Sequence, residues 1–199
     1  FIDCIRLAKE PARVHFVELF LDGEVQDVLC ERFRLLQGLS SDDPHFALKK
    51  EARLQYFLGY DYVRCGVDPI ELPMNRLLTQ DTAALQRAGG RHYIDETRGP
   101  ITSWEEFERY PWPNLQAIST TRLEWFETNL PDNMCIIGSS LGHYAEFLTW
   151  LMGYTTFCTA LYEQRDLIQA IFDKIHEMFE AFLRLLTECP RVKAIWASD

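Results

Sequence analysis

The 199-residue sequence sets 20 Lys and Arg against 30 Asp and Glu, a formal charge of -10, and 47% of it is hydrophobic. That is enough apolar mass for one sizeable core, and the acidic balance argues against nucleic-acid binding, which needs a basic footprint. No apolar run approaches the ~18 residues of a membrane span. The six cysteines are scattered with no Cys-x-x-Cys, and the first residues lack a signal-peptide layout, so the chain reads as a cytoplasmic protein with reduced thiols.

In chain order, the apolar run Arg13 to Phe20 after Pro11 predicts a first strand. Asp22 is placed to cap a helix carrying Val25, Val28, Leu29, Phe33 and Leu36, with Gly38 as its stop. A second helix begins near Asp43-Pro44 and runs to Gly59. Tyr60 to Cys65, rich in aromatic and β-branched residues, predicts a second strand. Residues 66 to 115 are broken by Pro and Gly and read as an elaborated loop. Within it Arg91 to Glu96 reads as a strand of a small hairpin, and Ser103-Trp104-Glu105-Glu106 as a capping box opening a short helix. A helix over roughly 116 to 129, a third strand Met134 to Gly138 and a helix through Met152 follow. Another helix runs from about Thr155 to Gln164. The longest starts at Asp166 with a stripe from Ile168 to Leu186, and Val192 to Asp199 reads as a final strand.

Strands alternating with helices imply a parallel sheet with βαβ crossovers. Four strands make half of a (βα)8 TIM barrel, which takes about 250 residues. The expected fold is therefore α/β: a single domain over 1–199 that is a partial TIM barrel, with its first four strands, extra helices and the hairpin-containing insertion. A doubly wound sheet is the alternative, but no glycine-rich phosphate loop follows the first strand.

Several segments together resemble the uroporphyrinogen decarboxylase superfamily. They are Gly59 to Val63, Gly99 to Phe107, Tyr110-Pro111-Trp112-Pro113, Ile137 to Gly142, Trp150 to Tyr154 and Ala194 to Asp199. The resemblance matches the N-terminal part of the family domain. It implies a distorted (βα)8 barrel and one of two activities. One is cofactor-free decarboxylation of a tetrapyrrole carboxylate. The other is zinc-dependent methyl transfer to or from a corrinoid protein. Two departures weigh against the decarboxylase. Where that enzyme has an Arg-x-x-Gly-Arg clamp, this chain has the acidic stretch Glu18 to Glu24, and Cys65 stands where its catalytic Asp would be, with Asp68 three residues on. The zinc ligands of the methyltransferase branch would lie downstream, so no metal ligand is expected in this sequence.

The residues expected to carry chemistry sit at predicted strand ends. Glu18 closes the first strand, as a proton acceptor or as a partner for Arg64, and Arg64 is suited to hold a substrate carboxylate bidentately. Ser139 and Ser140 form the turn after the third strand as further substrate-binding groups. His143 is placed for acid/base work or for packing of its loop, and Asp199 ends the fourth strand. The aromatic group Trp104, Phe107, Tyr110 and Trp112 is suited either to a flat ligand or to a small core beneath the loop. The expected function is methyl transfer with a corrinoid partner or related chemistry on a small substrate. Tetrapyrrole decarboxylation is one alternative. A catalytically silent half-barrel that closes by association, for instance as a homodimer, is the other, because open sheet edges invite pairing.

Overall fold

Short apolar runs alternating with helical stripes produce an α/β chain. The computed structural model describes all residues except Leu19, Gln86, Ala88, Ser140, Leu141, Ser198 and Asp199. In order the elements are helices α1 (Ile2–Ile5), α2 (Gly23–Arg32) and α3 (Phe46–Phe57), strands β1 (Tyr62–Cys65), β2 (Arg76–Thr79) and β3 (Arg91–Ile94), helix α4 (Trp104–Arg109), a 3-10 turn (Leu115–Ala117), helix α5 (Thr121–Asn129), strand β4 (Cys135–Ser139), helices α6 (Tyr144–Met152), α7 (Tyr154–Glu163) and α8 (Arg165–Glu188), and strand β5 (Val192–Trp196). They fall into two compact units. One comprises Phe1–Val67, Thr120–Ser139 and Leu186–Trp196, the other Asp68–Ser119, Ser140–Leu185 and Ala197–Asp199.

The first unit is built on a parallel sheet in the order β1-β4-β5. Val63, Cys65 and Ile136 turn one face of it to the helices, where they are buried against Leu48 of α3 and Leu123 and Phe126 of α5. Gly138 belongs to the same face, since a Cβ there would lie 3.2 Å from a Leu186 methyl and 3.3 Å from Ile195. Arg191, just before β5, binds the turn that follows α5. Its guanidinium donates to the carbonyls of Glu127 (3.2 Å), Leu130 (2.7 Å), Met134 (3.3 Å) and Pro131. These include carbonyls that the helix end leaves without internal donors, and a cation there suits the helix dipole.

The expected first strand does not form. No described residue of the stretch from Arg13 to Phe20 belongs to a sheet. The segment is instead tied to β1 by side chains. Arg13 and His15 both bind the carboxylate of Asp61. The Glu18 N–H donates to Tyr62 Oη (3.1 Å), and the Tyr62 O–H donates to the Glu18 carbonyl (3.3 Å). Val14, Phe16, Val17 and Phe20 are exposed. An apolar run without a ladder is extended chain rather than strand, and so the parallel sheet has three strands where four were expected.

The second unit contains the hairpin. β2 and β3 pair antiparallel, Arg76 opposite Ile94 and Thr79 opposite Arg91. The buried Asp81 organises the residues that join them: its carboxylate accepts from the N–H groups of Ala83 (3.0 Å) and Arg87 (2.7 Å) and pairs with Arg91 Nε (2.9 Å). The expected capping box is present, with Ser103 Oγ accepting the Glu106 N–H, and the Glu106 carboxylate reaches back to the N–H groups of Thr102 and Ser103. The expected helix over 116–129 is split into the 3-10 turn and α5, with Ile118 extended between them. In α8 the buried stripe runs Leu167, Ile171, Ile175, Met178 and Phe182, and Asp166 sits in the first turn rather than at the cap. Where the segment before α4 crosses the end of α6, the Ile101 N–H donates to the Leu151 carbonyl (2.8 Å), and a Cβ on Gly99 would fall 2.2 Å from that oxygen. We expect Gly99→Ala to destabilise the protein by about 2–3 kcal/mol, as other overpacked sites do, seen as a lower urea midpoint.

The contacts of Asp81, foremost the N–H groups of Ala83 and Arg87 and then Arg91, lower its pKa to about 2. A depressed carboxyl pKa contributes stability that is present above the unfolded value near 3.9 and is lost as pH falls through the folded one. Amide exchange in β2 and β3 should therefore accelerate between about pH 4 and pH 2, ahead of the rest of the chain. In Asp81→Asn the exchange is already fast at pH 7 and that acid step disappears.

Candidate functional site

In a parallel sheet all strands point the same way, so the groups at their C-terminal ends converge on one edge, where α/β folds hold ligands. Here those ends are Arg64-Cys65-Gly66, Ser139 and Trp196, with Cys65 opposite Gly138 and Ser139 opposite Trp196. Alternation separates the first two. Cys65 is buried among the helix-facing side chains, whereas Arg64 turns to the other face. The Arg64 guanidinium carbon lies 5.4 Å from the centre of the Trp196 ring, a cation–π contact.

The position of Trp196 depends on an irregularity in β5. Ile136 pairs with Val192, but the next residue, Ile137, pairs with Ala194, so Lys193 is an extra residue in the ladder. Such a bulge reverses the alternation beyond it. Val192 before it and Ile195 after it both pack on the helix-side core, and Trp196 is left on the face of Arg64.

Arg64 Nε is buried and has no hydrogen-bond partner among the described residues. A buried donor without a partner ordinarily costs about 1–3 kcal/mol, and so is rare unless something else binds it. The terminal nitrogens of a guanidinium suit a carboxylate or phosphate, whereas Nε itself is closed off from solvent. Two further charges stand nearby. Glu51 on α3 faces Arg122 of α5 at 3.7 Å. Burial holds the Glu51 carboxyl above the ordinary glutamate range, outweighing its attraction to Arg122 and Arg64.

Of the residues expected from sequence, Arg64 and Ser139 come together on adjacent strands. Glu18 is exposed beside Tyr60 and Tyr62, engaging the latter through its backbone. His143 belongs to the second unit, at the N-terminal boundary of α6. Its side chain does not cap the helix, and Nε2 lies 3.7 Å from a Glu146 carboxylate oxygen. Ser140 and Asp199 lie outside the described residues. Asp68, three residues after Cys65, hydrogen-bonds Ser119. The aromatic group forms a small core: Phe107, Tyr110 and Trp112 pack together in the second unit, the Tyr110 hydroxyl donates to the Pro73 carbonyl (2.9 Å), and only Trp104 stays largely exposed. Trp196, Glu51 and Arg122 were not anticipated. Spacing alone carries no signal for them, because a bulge places the first and packing between α3 and α5 the other two.

A cavity of about 450 Å³ opens at the opposite ends of the strands, lined by Asp61, Cys135, Arg191 and Lys193 among others. Three of its charged groups are engaged structurally, Asp61 by Arg13 and His15, Arg191 by carbonyls and Lys193 by the Pro190 carbonyl. Burial pushes the Cys135 thiol upward, away from the reactive thiolate. Among the described residues no group of three or more His, Cys, Asp or Glu side chains is placed to hold a metal ion, and no helix is long and apolar enough to cross a membrane.

No family model, curated protein or solved structure matches the chain.

Because a raised carboxyl pKa favours the protonated folded state, the Glu51 contribution is fully present below the unfolded value and is lost as pH rises through the folded one. Glu51→Gln should therefore gain thermal stability over the native protein at pH 8 and lose that advantage at pH 4. Melting curves at the two pH values check this.

Proposed function

We propose that the three parallel strands and their helices are part of a uroporphyrinogen-decarboxylase-like (βα)8 barrel, and that the chain serves an enzyme acting on a small carboxylate-bearing substrate. The observation that carries the reading is the buried Nε of Arg64 at the C-terminal end of β1, which has no partner among the described residues. Arg64 binds the substrate carboxylate, stiffened from behind by the Trp196 ring, and Ser139 offers a hydroxyl on the neighbouring strand end. Binding of this kind positions the reacting group and leaves the chemistry to what else the site contains.

The proposed reaction is methyl transfer with a corrinoid protein as partner, on the strength of the motif resemblance and of the two departures that weigh against tetrapyrrole decarboxylation. The described residues do not fit a zinc site, so no step is assigned to a metal. A homodimer is the second reading. It is favoured by β1 and β5 each pairing on one side only among the described residues, and a purely monomeric mass in light scattering would dismiss it.

Calorimetric titration with succinate tests the anion site. The native chain should bind it, and Arg64→Met should weaken binding by about tenfold or more, the effect of one lost charged hydrogen bond, with an unchanged circular dichroism spectrum. Equal binding by both proteins would refute the assignment of Arg64. For the reaction, methylcobalamin and a thiol should give cob(I)alamin and the methyl thioether faster with the protein than without it. The methyl–cobalt bond breaks, its electron pair stays on cobalt, and the thiol proton goes to solvent. No acceleration would remove methyl transfer.

A further inference from the structure

A second concave site lies on the helical layer of the first unit. A cavity of about 820 Å³ is walled by α3, by α5 and by the turn after α2, with Leu35, Leu39, Tyr56, Phe57 and Trp125 supplying apolar surface. Its size is in the range of small-ligand sites, roughly 300–1,000 Å³. Tyr56 is 56% exposed and Phe57 44% exposed, so these aromatic faces stand in water in the chain alone.

The charge of the lining is the second observation. In a sequence with 30 acidic and 20 basic residues, this cavity is bordered by Lys49 and Arg53 and by no carboxylate. Lys49 is already neutralised by Asp43. Arg53 is not. One of its terminal nitrogens donates to the carbonyls of Leu35 and Gln37, both at 3.1 Å, which fixes the side chain against the turn without cancelling its charge. Its remaining donors have no protein partner among the described residues. A cation held rigidly at the edge of an aromatic-lined cavity matches a ligand with an apolar body and an anionic head.

We propose that this cavity binds an amphipathic monoanion such as a medium-chain fatty carboxylate. The apolar body lies over Trp125, Tyr56 and Phe57, and the carboxylate meets Arg53. The lining comes from the turn after α2, from α3 between Lys49 and Phe57, and from Trp125, Asn129 and Pro131 along and just beyond α5, whereas Arg64 ends β1. The site is therefore additional to the substrate site proposed above and stands or falls independently of it.

The probes are laurate, its neutral counterpart dodecanol, and the fluorescent sulfonate 8-anilinonaphthalene-1-sulfonate. The expected result is saturable binding of one sulfonate per chain, displaced by laurate, with laurate binding about tenfold or more tighter than dodecanol. Ala52 also lines the cavity, and Ala52→Trp should fill it and abolish the displaceable binding while the circular dichroism spectrum is retained. Arg53→Gln should reduce laurate binding to the level of dodecanol. Unsaturable sulfonate binding, equal affinity for laurate and dodecanol in the native protein, or a folded Ala52→Trp variant that binds as the native chain does would each overturn the proposal. The laurate–dodecanol comparison needs no variant, so it decides the matter even if both substitutions fail to fold.

Discussion

The extra residue at Lys193 is the constraint on which the candidate site depends. A strand has a side-chain period of two, so which residues of β5 meet the helices is fixed at its first pairing with β4. Val192 makes that contact, and a regular strand would then send Ala194 and Trp196 to the helices as well. Inserting Lys193 passes the role to Ile195, which closes against Gly138, and turns Trp196 to the face of Arg64. Gly138 has a matching role, because any larger residue there would meet Leu186 and Ile195. Core packing and the indole under the guanidinium therefore follow from one local irregularity. Bulges are over-represented beside functional sites for this reason: they re-aim side chains without changing the sheet.

Much of the fold was legible because its signals are local. Helices α3, α6, α7 and α8 follow their apolar stripes, whereas α2 ends at Arg32, short of the expected stop at Gly38, and the Asp22 side chain makes no cap hydrogen bond. The Ser103 capping box and the hairpin strand at Arg91 are carried by a few adjacent residues. The misreading at Arg13 to Phe20 has a clear cause. β-Propensity reports that a segment suits a pleated, half-buried surface, and it does not report whether a partner strand offers ladder bonds. Here Asp61 captures Arg13 and His15, and Tyr62 binds both backbone groups of Glu18, so side chains hold the segment where a ladder would have done so. At the site the same division holds. That Arg64 and Ser139 lie at strand ends could be read from the apolar runs that precede them, but the facing of Cys65 into the core and of Trp196 toward Arg64 required the register.

The electrostatics of the first unit sharpen this contrast. Arg13 and Lys49 are committed to Asp61 and to Asp43. Arg64 and Arg53 are held just as firmly, one against an indole and the other against two carbonyls, yet neither of these contacts neutralises its charge. Fixing a guanidinium through neutral groups removes its conformational freedom in advance, so an anion arriving later loses less entropy on binding. In a chain of formal charge -10, two cations without an ion pair among the described residues run against the average composition, and Arg64 stands at the strand ends where α/β folds hold ligands.

Glu51 connects the core to this pattern. It sits between α3 and α5 close enough to feel both Arg122 and Arg64, yet burial keeps its carboxyl harder to ionise than an ordinary glutamate. When Glu51 is protonated, Arg64 faces less negative charge from its own protein and attracts an incoming anion more strongly. When Glu51 ionises, it competes with that anion for the same field. In the proposed reading, the affinity of an anion at Arg64 is thereby linked to the protonation of Glu51, and by reciprocity a bound anion would draw the Glu51 pKa further upward. A carboxyl that does not touch the ligand can in this way set the pH range over which the strand ends accept one.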